Sequence, residues 1–174
     1  MRTGLYAAAV LSMALLLGNA AWAAEAKGAK MDAQFIRDAA QGDMLEMRLG
    51  EIAQQKAASP EVKEFAQRMQ QDHSAHLEKV RGLAASSNIK LSNDLDPKHR
   101  SEVDRFAKMT GKDFDRQYID HMVQDHQKDI KEYEKAQQQV TNPEEKAPAS
   151  ETLPILKDHL NMAQNTQKSL HASK

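Results

Sequence analysis

Phe65-Ala66-Gln67-Arg68-Met69-Gln70-Gln71-Asp72-His73-Ser74-Ala75-His76 is the stretch whose reading decides the fold. Its apolar residues stand three and four apart, the period of a helix packed along one face. The pattern Phe65-x3-Met69-x2-Asp72-His73-x2-His76 returns as Tyr118-x3-Met122-x2-Asp125-His126-x2-Asp129, and in shorter form as Asp158-His159-x2-Met162. In each copy the histidine occupies the apolar seam, where an ordinary helix carries leucine. What the chain can do chemically is concentrated at these seam positions.

Upstream of that stretch, the spacing predicts a first long helix from Asp32, its N-cap, to about Ala57, with Phe35, Ala39, Gly42, Glu46, Leu49 and Ala53 in phase. Ser59-Pro60-Glu61 supplies a capping hydroxyl, a proline at the first helical position and an acid at the positive dipole end. The second helix therefore runs from Pro60 to about Ala85, with the seam Val62, Ala66, Met69, His73, His76, Val80, Leu83.

Downstream, Ser86 to Asp96 is polar and without period, and Asp96-Pro97 opens a short helix that Gly111 ends. A third long helix spans Asp113 to about Val140, with the seam Asp115, Ile119, Met122, His126, Asp129, Tyr133, Ala136. Thr141 to Ala149 reads as a linker, with two prolines and no apolar side chain larger than alanine. The last helix covers Ser150 to His171, with Leu156, His159, Ala163, Thr166 and Leu170 in phase and Pro154 expected in its first turn. Four long helices with stripes near period 3.5 imply an all-α four-helix bundle, with the short helix in the crossover between the second and third long ones.

The ends and the composition set the context. Arg2, the apolar run Leu5 to Leu17 and the small-x-small site Ala21-Trp22-Ala23 read as a secretory signal over residues 1–23. A flexible leader over 24–31 and a bundle domain over 32–172 follow. No later stretch is apolar for long enough to cross a bilayer, so the expected location is the bacterial periplasm. The absence of cysteine excludes disulfides, thiolate metal sites and a lipid anchor. A formal net charge of −1 argues against a nucleic-acid partner. A protein partner is unspecified, and a homo-oligomer is compatible with the sequence.

The seam of every long helix carries an ionisable residue: Glu46; His73 and His76; His126 and Asp129; His159. Residues three apart share a helix face, so His73/His76 and His126/Asp129 could each grip an ion. Imidazole with carboxylate suits one ion of iron, zinc, copper or manganese. Four of the seven histidines directly follow an aspartate (His73, His121, His126, His159). Neighbours point about 100° apart on a helix. Asp72, Asp125 and Asp158 are therefore placed to accept the second ring N–H of a ligand histidine on an adjacent helix. The competing reading is a self-satisfied His/Asp network that only fixes helix register. Met44, Met47, Met69, Met122 and Met162 fall at helical spacing and read as core filling, and His99 and His171 as solvated.

Phe35-x3-Ala39-x6-Glu46-x2-Leu49-Gly50-x2-Ala53 resembles the opening of domain-of-unknown-function family 4142. The likeness continues through Val62-x2-Phe65-Ala66-x2-Met69-x2-Asp72-His73, Gly111-x2-Phe114-Asp115-x2-Tyr118, Met122-x3-His126 and Leu153-Pro154-x4-His159-Leu160-x2-Ala163. It spans nearly all of the expected mature chain. The resemblance implies a ferritin-like bundle of the bacterial envelope, in a group often labelled outer membrane proteins, and no established activity. Ferritin-like di-iron centres take a Glu from each of two helices and Glu-x-x-His from each of the others. Here four histidines and two carboxylates stand where that pattern has two and four. A single metal ion, or a non-catalytic envelope interaction or stress protein, fits these residues better than an oxygen-activating di-iron oxidase.

Overall fold

The computed structural model describes the backbone of residues 14–140 and 143–172, and the side chains of residues 33–140, 146 and 149–172. Its helices are α1 (Ala14–Lys56), α2 (Pro60–Ser86), α3 (Pro97–Ala107), α4 (Gly111–Gln139) and α5 (Pro143–Ala172), and no strand occurs among the described residues. α1 packs along α2 and α4 along α5; α2 also meets α5, and α1 meets α3 and α4. Among the described residues no helix is long and apolar enough to cross a membrane.

The helix starts follow local chemistry. Asp96 caps α3 by accepting a hydrogen bond from His99 N at 2.8 Å, with Pro97 at the first position. Gly111 takes φ +66°, a left-handed conformation that side chains resist, and turns the chain into α4. The α1–α2 turn is held from across the fold. Buried Asp115 accepts from Ala58 N at 3.0 Å and from Ser59 N at 2.9 Å. Ser59 sits at the N-cap, but its hydroxyl bonds Glu61 instead of capping the helix.

Three expectations need correction. The first helix does not begin at Asp32: α1 is continuous from Ala14 through the segment expected to be a loose leader. That segment, AEAKGAKM, is rich in helix formers, and extending a helix that already exists requires no apolar period. Residues 1–13 of the expected signal lie outside the described residues. The 141–149 linker is also mostly helix, because α5 starts at Pro143; residues 141–142 lie outside the described residues. Ala149, 1% exposed, packs with Tyr133, Leu153 and Leu156, and this burial carries the helix through Pro148. Pro154 accordingly lies inside α5 and not in its first turn.

The interior is layered. One apolar block gathers Leu45, Leu49, Phe65, Met69, Phe106, Phe114, Tyr118 and Met122. Two smaller blocks at the other end hold Ile36, Ala40, Leu77 and Val80, and Tyr133, Leu153 and Leu156. Between them, on four helices, lie the buried polar residues Asp43, Glu46, His73, His126 and His159. Gly50 lets α1 and α2 approach closely: a Cβ there would stand 2.6 Å from Gln70 Cγ and 3.1 Å from the Ala66 carbonyl oxygen.

Candidate metal centre

α2, α4 and α5 each bring one imidazole to the polar layer. His73, His126 and His159 are 6%, 0% and 2% exposed, and one donor nitrogen from each lies within 4.8 Å of the other two. The ring centroids are 5.3 to 5.9 Å apart. Each histidine has buried apolar neighbours one helical turn away on its own helix: Met69 and Leu77 for His73, Met122 for His126, Leu156 and Ala163 for His159. The seam that buries those neighbours buries the ring with them.

The outer partners fix which nitrogen of each ring carries the proton. His73 Nδ1 donates to Asp43 Oδ1 at 2.9 Å, leaving Nε2 buried and without a partner. His159 Nε2 donates to Asp72 Oδ2 at 2.8 Å, leaving Nδ1 as a lone pair. His126 Nδ1 lies 3.0 Å from the Met122 carbonyl, an acceptor only, so its Nε2 is the free lone pair. That Nε2 is 3.2 Å from His159 Nδ1. From Met122 O to Asp72 there are thus three contacts in line, and two neutral rings bring only two protons. One contact is short of a positive charge.

A proton supplies that charge poorly. Burial pushes His126 down to about 3, with His73 and His159 adding to it. Burial also lowers His159, against the opposing pull of Asp72. Burial raises the Asp72 carboxyl, but the hydrogen bonds from His159 and Arg68 outweigh it and hold it below its ordinary value. Asp72 is therefore ionised and accepts only. A buried group of three imidazoles, each with one nitrogen turned toward the others, could hold a metal ion.

Three of the six expected ligands lie outside this convergence. His76 turns to Asp43, its Nδ1 being 3.0 Å from Oδ1 and 2.8 Å from Oδ2. Glu46 is 1% exposed, and neither of its oxygens has a hydrogen-bond partner. Burial first, then the Asp125 and Asp129 carboxylates, push it well above the usual carboxylate range. Asp129, half-buried beside Lys128, is raised to about 8 by burial and by Asp125. At neutral pH Asp129 is mostly protonated, and neither residue belongs to the three-nitrogen group. Of the expected orienting aspartates, Asp72 does that work across helices, Asp125 presses on Glu46, and Asp158 is exposed.

Asp43 is the functional residue that the sequence reading passed over. The expected seam of α1 ran through Phe35, Ala39 and Gly42, whereas Ile36, Ala40 and Asp43 are the buried positions. A strict heptad drifts against the true 3.6-residue turn, here by one position over the first part of α1. Its place three residues before Glu46 was the signal available. Met69 and Met122 are fully buried, as core filling requires, and Met162 is 37% exposed. His171 is exposed as expected, but His99 is half-buried.

A cavity of about 800 Å³ adjoins the three rings. His73, His159, Asp43 and Asp72 form one part of its wall and His99, Glu102 and His121 another.

A family model described as "Domain of unknown function (DUF4142)" matches residues 17–166. No curated protein matches the chain. Among solved structures, the chain is similar to a DUF305 fragment from Deinococcus radiodurans at TM-score 0.70 and 13% identity, covering 79% of this chain and 95% of that one. At that identity the likeness concerns the fold alone.

Proposed function

The chain belongs to the DUF4142 family, and from that premise we propose that it is an exported, ferritin-like four-helix bundle whose interior binds one transition-metal ion. His73, His126 and His159 are the ligands. Asp43, Asp72 and the Met122 carbonyl orient them. The reading rests on the His126–His159 contact: with His126 Nδ1 turned to the Met122 carbonyl and His159 Nε2 to Asp72, two lone pairs face each other at 3.2 Å, a gap that a metal cation would fill. Two nitrogens each about 2.1 Å from a tetrahedral ion stand about 3.4 Å apart, close to that separation. With imidazoles and no ionised carboxylate as donors, zinc, copper or ferrous iron suits the group better than manganese.

The role proposed is binding, not oxygen chemistry. A di-iron centre needs bridging carboxylates. Here the buried seam carboxyl, Glu46, is held well above the usual carboxylate range by its burial and lies outside the nitrogen group. Residues 1–23 serve as the export signal and 32–172 as the bundle domain, in the periplasm; fractionation of cells expressing the full chain tests this placement.

The decisive experiment is elemental analysis of protein purified without chelator, beside His126→Ala. One equivalent of metal in the parent and none in the variant is the expected result. A metal-free parent that gains no thermal stability from Zn²⁺, Cu²⁺ or Fe²⁺ rules the site out. The His/Asp network would then be structural only.

A further inference from the structure

The cavity beside the three histidines departs in charge from the rest of the chain. The whole sequence is almost balanced, with 24 basic and 25 acidic residues. The cavity wall instead carries eight carboxylates against three lysines. Asp129, raised to about 8 and so neutral at pH 7, drops out of that count. Seven negative groups remain around one recess, and the recess reaches two of the three ligand rings, His73 and His159.

The excess is not confined to the inner end. Asp96 and Glu102 come from the α2–α4 crossover, well away in sequence from the histidine layer, and they line the same cavity. There His121 Nδ1 lies 3.4 Å from Glu102 Oε1, and His121 Nε2 is buried with no partner. A recess whose wall carries an excess of one sign of charge focuses its field and raises the local concentration of oppositely charged ions.

We propose that this cavity is a cation vestibule. It draws a hydrated divalent metal ion from solution past a first station at Glu102 and His121 and delivers it to the buried histidines. The inference rests on the metal-binding reading above and adds the route to it. The buried rings have almost no solvent contact of their own, so the ion must come through the recess that His73 and His159 face.

The test follows Co²⁺ loading of metal-free full-length protein by stopped-flow absorbance at low and high salt. The vestibule variant is Asp96→Asn with Glu102→Gln; Asn still caps α3. The control is Glu64→Gln with Glu78→Gln, which makes the same change in net charge at exposed sites that do not line the cavity. Loading in the vestibule variant is expected to slow three- to ten-fold at low salt, with an unchanged off-rate, and the difference should vanish at high salt. The control should load like the parent. If both pairs slow equally, or neither slows, the vestibule is wrong while the histidine site stands. If the parent binds no Co²⁺ at equilibrium, both fail together.

Discussion

Asp72 on α2 and His159 on α5 meet at 2.8 Å across 87 positions of sequence, and that one contact sets which nitrogen of His159 faces inward. Asp72 is itself held by Arg68, one turn back on its own helix, at 2.5 Å. Removing the carboxylate's full charge while keeping its shape, as in Asp72→Asn, leaves the imidazole in place but frees its tautomer. Metal affinity should fall by about 10- to 100-fold, the usual effect of losing such an orienting partner. Competition titration against a chromophoric chelator measures it; unchanged affinity would mean that His159 is not a ligand.

His126 offers the sharpest separation of a binding site from a structural network. His126→Leu replaces a buried polar ring with an apolar side chain. In the metal-free protein this should leave stability within about 1.5 kcal/mol or raise it, because the face-to-face lone pairs disappear. The rise in Tm that the parent shows with excess Zn²⁺ should be absent. Were the ring only a network member, the variant would lose stability with or without metal. Thermal denaturation with and without Zn²⁺ decides between these outcomes.

Glu46 tests the boundary of the ligand set. Burial and neighbouring carboxylates push it well above the usual carboxylate range and so favour its neutral form, which Glu46→Gln mimics in shape. Binding should persist within a few-fold, and stability should hold. A large loss of metal would return Glu46 to the first coordination sphere.

The pH dependence of the metal-free protein has a definite sign. Asp129 is raised from 3.8 to about 8, so the folded chain holds a proton that the unfolded chain gives up. The stability tied to that proton is present below pH 3.8 and is lost as pH rises toward 8. His126, lowered from 6.5 to about 3, works in the opposite direction, but only between those values. From pH 6.5 to 8 Asp129 acts without that opposition, and Tm should fall. Asp129→Asn should flatten that segment of the profile in a calorimetric series.

Asp115 predicts a purely structural effect. Its carboxylate accepts both backbone N–H groups of the α1–α2 turn, so Asp115→Ala strips them of their partner at a half-buried turn. Urea unfolding should show a loss of about 1–3 kcal/mol. Metal stoichiometry at saturation should stay the same.

The fold and the site were legible in the sequence to different depths. Period alone located α2, α4 and the second half of α1, because their apolar residues recur in phase on both sides of the ionisable positions. It failed over 143–149, where alanine packs a helix face as well as a larger residue does when its neighbour is Tyr133. It also failed over 24–31, where helix propensity and not period extends α1. His73, His126 and His159 were recoverable because a polar residue in a seam has to be compensated. Their tautomers were not, since these depend on Asp43, Asp72 and a carbonyl brought in from other turns and other helices. His76 and Asp129 share a face with His73 and His126, but three residues along a helix shift a side chain enough to give it a different partner.

Gly50 holds the last consequence. Its missing side chain lets α1 rest almost on the Ala66 carbonyl of α2, and seven residues along each helix from that point stand Asp43 and His73. Folding thus aims the imidazole before any ion arrives, and the entropy of ordering it is not charged against binding. Gly50→Ala would touch none of the three nitrogens, yet by prying the two helices apart it would loosen the spacing on which the proposed binding depends.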